Sequence, residues 1–182
     1  MKKLLRFLLM TVVTLCLSLP CLGAEAATVA LLPLINNVQG DEGANQVFYK
    51  EAIATMNAQK GFMMVENDKV TSAIEAANVD GSIPSEAAAA KIAKDGNVDI
   101  VIAIQLDKIE DETIFSSEEN KIKVCIEGRV ASYNRLTGEY RASKINEATL
   151  TPEVFSSRWD LPHEEWSKVV RKEIKRALVA KK

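Results

Sequence analysis

The sequence predicts one α/β domain of the three-layer type, built on a mixed β-sheet. In its first part, strand-like apolar segments alternate with helix-like segments, which is typical of parallel βαβ units. Two strand-like segments then follow one another across a short turn without a helix between them, which predicts antiparallel hairpin strands. An amphipathic helix ends the chain. No internal repeat or low-complexity linker divides these segments, so we predict a single domain.

The first 26 residues have the pattern of a secretory signal peptide. Three basic residues among the first six form a positive amino-terminal region, and residues 8–19 are almost entirely apolar. This apolar stretch is shorter than the roughly 20 residues that a membrane-spanning helix needs. Ala24 and Ala26 place small residues at the −3 and −1 positions. We therefore predict cleavage after Ala26 and a single domain over residues 27–182.

Cys21 raises the alternative of a lipid-anchored protein. A lipid-attachment site carries a small residue just before its cysteine, whereas Pro20 holds that position here. We therefore disfavour anchoring at Cys21 and expect a mature protein that contacts a membrane at most peripherally. The expected location is the periplasm of a bacterium, or the cell exterior.

Removal of the predicted leader changes the charge and the cysteine count. The chain has 23 basic and 25 acidic residues, and the leader takes three basic and one acidic residue, which leaves a net charge of −4. An acidic domain is a poor match for nucleic acid, so we expect no such partner. Cys125 is the one mature cysteine, which excludes an intramolecular disulfide. We interpret it as an ordinary strand residue, with an intermolecular disulfide as the alternative.

The first predicted elements alternate between strand and helix. The continuous apolar run Thr28–Leu34 predicts a strand buried on both faces, and Asn36–Gly43 predicts a loop. Helical spacing over Ala44–Ala58 predicts an amphipathic helix, and Phe62–Val65 a short strand. The predicted apolar stripe of that helix comprises Phe48, Tyr49, Ala52, Ile53 and Met56.

Two more helices and a strong strand signal complete the βαβ part. Asn67 or Asp68 is expected to cap one helix, and Ser85 a second helix over Glu86–Lys94. Asp99–Ile109 predicts a strand that is central at its start and half-exposed at its end. The residues that turn polar there are Gln105 and Asp107.

The last third of the chain predicts a hairpin and a helix. Clean alternation over Lys121–Tyr133 predicts a strand, and a five-residue turn leads to the more polar strand Glu139–Leu150. The acidic segment Glu110–Asn120 before them is expected to be a solvated hairpin tip. Asp160 is expected to cap a final helix over residues 161–181, since proline follows in its first turn.

No residue set matches the active site of a hydrolase or transferase. His163 is the only histidine, and we interpret it as a solvated residue at the start of the final helix. The loop Gly40–Gly43 carries two carboxylates and lacks the Lys-Ser/Thr of a phosphate-binding loop. We therefore expect no catalytic residue, no metal and no cofactor. A metal-dependent module using the acidic run 110–119 is kept as an alternative, although consecutive carboxylates in an extended chain do not converge.

Two segments offer apolar side chains for contact with a partner. Ile114 and Phe115 lie within the polar hairpin segment, where Phe115 is a candidate exposed anchor. Phe155 and Trp159 lie just before the final helix. The alternatives are that Phe115 folds back onto the sheet and that Trp159 packs the final helix onto it.

Four segments occur in an order and spacing that match a known family. They are Val29–Leu34, Gly61–Glu66, Ala90–Ala103 and Val130–Glu139. With them, residues 28–148 resemble the periplasmic domain shared by the curli-secretion (CsgG-like) family, the TolB amino-terminal domain and the outer-membrane lipoprotein activators of penicillin-binding proteins. The resemblance implies an α/β fold and a non-enzymatic role in assembly, docking or regulation.

The chain departs from the curli channel in two respects. The lipidated cysteine of that channel has no good counterpart, because Pro20 precedes Cys21. Its pore needs pairs of strands of about 9–11 residues with an apolar outer face. The insert available here, residues 110–120, is short and acidic. We therefore do not expect a pore.

The sequence thus predicts an exported, non-enzymatic cell-envelope protein. We expect it to bind or scaffold an envelope protein partner in assembly, secretion or regulation. The first alternative is a self-assembling structural homo-oligomer of the CsgG-like type. The second is the metal-dependent module described above.

Overall fold

The computed structural model describes residues 26–66, 68–77, 79, 81–115, 117, 120–152 and 160–179. Six strands form one sheet, and four helices pack on it. The strands are β1 (Ala27–Leu31), β2 (Ile35–Asn36), β3 (Phe62–Met64), β4 (Ile100–Ile114), β5 (Lys121–Asn134) and β6 (Glu139–Pro152). The helices are α1 (Glu42–Ala58), α2 (Asp68–Ala76), α3 (Glu86–Asp95) and α4 (Leu161–Leu178).

The sheet is mixed, which confirms the predicted fold class. Its strand order is β3-β1-β4-β5-β6, and β2 also pairs with β4. The strands β1 and β3, β1 and β4, and β2 and β4 are parallel to one another. The pairs β4–β5 and β5–β6 are antiparallel.

Helices cover both faces of the sheet and create two cores. On one face, α1 and α4 pack on the sheet through a large cluster that includes Phe48, Ile102 and Trp166. Trp166 is fully buried, and its indole Nε1 donates to the carbonyl oxygen of Ala44 over 3.1 Å, which ties α4 to α1. On the other face, α2 and α3 enclose a smaller cluster around Ile92. The domain therefore has three layers, as predicted.

The strand predicted over Thr28–Leu34 ends at Leu31, and a second short strand, β2, follows the apolar run at Ile35. The amide of Leu32 still donates to the carbonyl of Ile102, but Pro33 has no N–H to continue the ladder. The chain resumes pairing in β2, where Ile35 lies beside Gln105 of β4.

Helix α1 buries a narrower stripe than predicted. Tyr49 and Ile53 are each 43% exposed, so their assignment to the buried stripe was wrong. The buried side follows i, i+4 spacing because the sheet and α4 cover one side of the helix. It comprises Ala44, Phe48, Ala52, Thr55 and Met56.

Two of the predicted helix caps have clear outcomes. The Ser85 hydroxyl accepts a hydrogen bond from the amide of Ala88 over 3.3 Å, which confirms it as the N-cap of α3. Asp160 is the N-cap residue of α4, as predicted, although its side chain makes no capping hydrogen bond. Asn67 lies outside the described residues, and Asp68 is the first residue of α2.

Strand β4 departs from the sequence prediction in length and in burial. Gln105 is only 5% exposed, and its Oε1 accepts a hydrogen bond from the amide of Ile83 over 3.2 Å. The strand continues to Ile114 with a bulge at Asp107, so the first part of the acidic segment is strand and not a hairpin tip. Backbone pairing with β5 makes this extension possible.

Candidate partner-binding surface

Strands β4, β5 and β6 extend beyond β1, β2 and β3, and we call the β4–β5 part of this extension the arm. We define the arm as residues 108–114 of β4 and 121–127 of β5, which pair in antiparallel register. The pairing of β1 with β4 ends at Ile102, and that of β2 at Leu106. In the described part of the chain, the arm therefore has a strand partner on the β6 side alone. Seven residues of β-strand span about 23 Å.

The two faces of the arm differ in burial. Ile122, Val124 and Ile126 are each about 1% exposed and belong to the core that α1 and α4 cover. The alternate residues of β5 and β6 lie on the opposite, open face, where Leu150 is 53% exposed. The predicted alternation of β5 is thereby confirmed.

The acidic run lies along the arm with its carboxylates on alternate faces. Glu110 is opposite Cys125, Asp111 opposite Val124 and Glu112 opposite Lys123. Among the described residues, no three His, Cys, Asp or Glu side chains come together in a way that would hold a metal ion. Glu118 and Glu119 lie outside that part of the chain.

Lys108 forms an ion pair with the first carboxylate of this run. Its Nζ lies 3.0 Å from Oε2 of Glu110, and the hydrogen bond between them raises the pKa of Lys108 above its usual value. Both side chains are exposed, so the pair contributes little to stability.

The end of the arm carries the predicted contact residues Ile114 and Phe115. Ile114 is the last residue of β4 and is 39% exposed. Phe115 is 79% exposed, the largest fraction among the exposed large hydrophobic residues that are described. It therefore does not fold back onto the sheet. The two residues lie together at the outer end of the arm, and their role in contacting a partner stays a prediction.

The second predicted contact pair, Phe155 and Trp159, lies outside the described residues. Its role, and the alternative packing of Trp159 under the final helix, also stay predictions.

His163 is half-buried and paired, and not a fully solvated residue as predicted. Its Nε2 lies 2.9 Å from Oδ1 of Asp41, and the same oxygen accepts a hydrogen bond from the amide of Ala44 as the N-cap of α1. Gly43 leaves room for the imidazole, since a Cβ there would lie 2.7 Å from its Cε1. This pair is not predictable from local sequence, because its two members are 122 residues apart. The capping position of Asp41 was the one available signal.

Cys125 is a free thiol of intermediate burial in β5. Its position in the strand agrees with the interpretation from the sequence. Among the described residues, no helix is long and apolar enough to cross a membrane.

Comparison with known proteins gives similarity at the level of the fold. No protein-family model matches the chain, and no curated protein matches it in sequence. The solved structure of hypothetical protein CT253 from Chlamydia trachomatis matches 86% of this chain and 100% of its own, with a TM-score of 0.52 and 11% identity. At this identity, the match shows a shared fold alone.

Two further solved structures are similar at lower scores. The PelC dodecamer from Paraburkholderia phytofirmans matches 89% of this chain and 94% of its own, with a TM-score of 0.46 and 10% identity. Lipoprotein GNA1162 from Neisseria meningitidis matches 82% and 99%, with a TM-score of 0.41 and 13% identity. TM-scores below 0.5 do not support a functional comparison.

Proposed function

We propose that this chain is an exported, non-enzymatic cell-envelope protein that binds a protein partner through the end of the β4–β5 arm. The observation that carries this proposal is the 79% exposure of Phe115 beside the exposed Ile114. Aromatic side chains are enriched among the residues that dominate binding at protein interfaces. An arm with an apolar end offers such a contact without rearrangement of the core.

The sequence of the leader supports the envelope location. Cleavage after Ala26 would release a chain beginning at Ala27, which is the first residue of β1. Mass spectrometry of the protein recovered from bacterial envelopes tests this point. An amino-terminal Ala27 is expected, whereas a lipid-modified Cys21 would contradict the proposed processing.

Two positions support the non-enzymatic part of the proposal. His163 is held against the N-cap Asp41 of α1, which gives the imidazole a structural role between two helices. The thiol of Cys125 belongs to a strand on the open face of the arm. Among the described residues, neither side chain has a neighbour that completes the nucleophile–base arrangement of covalent catalysis.

The partner proposal is tested by capture from crosslinked envelopes. Phe115→Ala is expected to reduce recovery of a specific partner by tenfold or more, since buried aromatic anchors contribute on the order of 2 kcal/mol. Ile53→Ala is the matched control, because Ile53 is 43% exposed on the solvent side of α1. It should leave recovery unchanged. Equal recovery with both variants, or the absence of a specific partner for the unaltered protein, would contradict the proposal.

A second candidate function is self-assembly, which the edge strand β6 favours. This strand has 14 residues and pairs on one side alone, with β5, in the described structure. An unpaired strand edge is a template for pairing with another chain. Light scattering across a concentration series tests this candidate, for which the mass should exceed that of one chain. A constant monomer mass would contradict it and would leave the Phe115 proposal intact.

A further inference from the structure

A cleft lies at the end of the sheet opposite the arm, where β1 and β4 begin and β5 ends. Its volume is about 570 Å³, within the range of small-molecule sites. We call it the Arg135 cleft, and the residues that line it and remain after the proposed cleavage are Ala27, Thr28, Met63, Asn97, Asp99, Arg135 and Leu136.

Asp99 lies in this cleft and is held by several hydrogen bonds. Its Oδ2 accepts from the amide of Thr28 over 2.9 Å and from the Thr28 hydroxyl over 2.8 Å. Its Oδ1 accepts from Nη2 of Arg135 over 2.8 Å. Burial opposes ionisation of this carboxyl, but the donors together hold its pKa below the usual value. Both oxygens of the carboxylate are therefore occupied.

Arg135 is fixed in position but keeps donors unused. Its amide also donates to the carbonyl of Asp99 over 2.7 Å, so that both its backbone and its side chain are anchored to one residue. Within the described part of the chain, its Nε and Nη1 make no hydrogen bond, and its side chain is 39% exposed. A guanidinium that is oriented by one carboxylate and has free N–H groups is suited to bind a second anion.

Two large apolar side chains are exposed in the same cleft. Met63 is 54% exposed and Leu136 is 68% exposed, and both line the cleft. Large apolar side chains exposed beside an oriented cation provide a binding surface with one charged and one hydrophobic part.

We propose that the Arg135 cleft binds a small anionic amphiphile. Its carboxylate or phosphate head would accept hydrogen bonds from Arg135, and its hydrocarbon chain would cover Met63 and Leu136. A cationic head is disfavoured, because the oxygens of Asp99 are already occupied by Thr28 and Arg135. The anchoring of Arg135 to Asp99 pre-organises the site, so binding does not need to order the arginine. This site goes beyond the proposed function, since it lies at the other end of β5 from Phe115.

Titration with hexyl phosphate, followed by amide signals in two-dimensional NMR, tests the proposal. The expected result is saturable shifts at Arg135 and Leu136, with an affinity at least tenfold above that of inorganic phosphate and of hexanol. Arg135→Gln should weaken binding by tenfold or more, since hydrogen bonds to charged groups have this order of magnitude. Arg171→Gln is the matched control, because Arg171 also pairs with one carboxylate, that of Glu51, and is 49% exposed. It should leave the affinity unchanged.

Leu136→Ser separates binding from folding, because it leaves the bonds between Arg135 and Asp99 intact. It should weaken hexyl phosphate binding by roughly fivefold without shifting the urea unfolding midpoint. Co-sedimentation with phosphatidylglycerol vesicles tests whether the anionic head that binds Arg135 belongs to a membrane lipid or to a free amphiphile. The proposal is overturned if neither probe binds, if hexanol binds as well as hexyl phosphate, or if Arg135→Gln and Arg171→Gln have equal effects.

Discussion

Replacing Gly128 by alanine places a methyl group against the backbone of β4. Gly128 pairs with Leu106 on one side and with Ile145 on the other, next to the bulge at Asp107. A Cβ at Gly128 would lie 2.2 Å from the carbonyl oxygen of Gln105, and real Cβ contacts are essentially never shorter than 3.0 Å. Glycine within a strand often marks such an approach of two backbones.

The loss of stability in Gly128→Ala arises because backbone atoms must move to make room for the methyl group. The obstructing atom belongs to a backbone that is held in the sheet, so the strands must separate locally. Overpacking costs about 1–3 kcal/mol, and a contact of 2.2 Å with a backbone atom that cannot rotate away places this site at the upper end of that range. Alanine also stabilises the protein by about 0.4–1 kcal/mol, because it restricts the conformations of the unfolded chain. We expect Gly128→Ala to lower the free energy of unfolding by about 2 kcal/mol. For a chain of this length, that corresponds to a fall in Tm of about 4–8 °C.

Urea unfolding followed by the fluorescence of the buried Trp166 measures this effect. Gly138→Ala is the matched control, because no atom lies within 4 Å of its added Cβ but its φ is +70°. Gly138→Ala should lower the free energy of unfolding by about 1 kcal/mol through backbone strain alone. The reasoning is refuted if Gly128→Ala is as stable as the unaltered protein, or if it costs no more than Gly138→Ala.

Three further substitutions have expected effects on stability. Asp99→Asn should lower the free energy of unfolding at neutral pH, and its difference from the unaltered protein should shrink as pH falls below about 4. The reason is that a carboxylate whose pKa is depressed in the folded state stabilises the fold above its unfolded-state pKa and loses this effect on protonation. Urea unfolding midpoints at pH 7 and pH 3 check this prediction. Trp166→Phe should cost about 2–4 kcal/mol by urea unfolding, since it removes buried volume and the indole hydrogen bond to the carbonyl of Ala44. Ser85→Ala should cost about 1 kcal/mol through loss of the α3 cap, and thermal unfolding with Ser85→Asn as the neutral control measures it.

Periodicity predicted most of the fold but not the width of each buried stripe. In α4, Trp166, Val170 and Ile174 are all buried, as their spacing indicates. In α1, Tyr49 and Ile53 have the same kind of spacing but face solvent. The apolar pattern of a helix indicates which side faces the core. It does not indicate how much of that side is covered, because this depends on the neighbouring elements.

Contacts between distant parts of the chain were not predictable from local sequence. The acidic run was interpreted as a tip because it is polar, but pairing with β5 keeps it extended and sets Glu112 opposite Lys123. Thr28 and Asp99 are 71 residues apart, and their hydrogen bonds depend on the parallel pairing of β1 and β4. The Arg135 cleft therefore appears only when the topology is known. The exposure of Phe115 was predictable, because an apolar pair within a polar segment is a local signal, whereas the role of Ile114 and Phe115 in contacting a partner stays a prediction.

The positions of Phe115 and the Arg135 cleft allow the two proposals to be tested in one protein. Strand β5 runs from the end of the arm to the turn that carries Arg135, and its 14 residues span on the order of 40 Å. Substitutions at this separation with no shared contacts act additively. Phe115→Ala should therefore leave hexyl phosphate binding unchanged, and Arg135→Gln should leave partner capture unchanged. Cross-effects between these variants would mean that the two ends of β5 are coupled, and the sheet would then transmit binding at one end to the other.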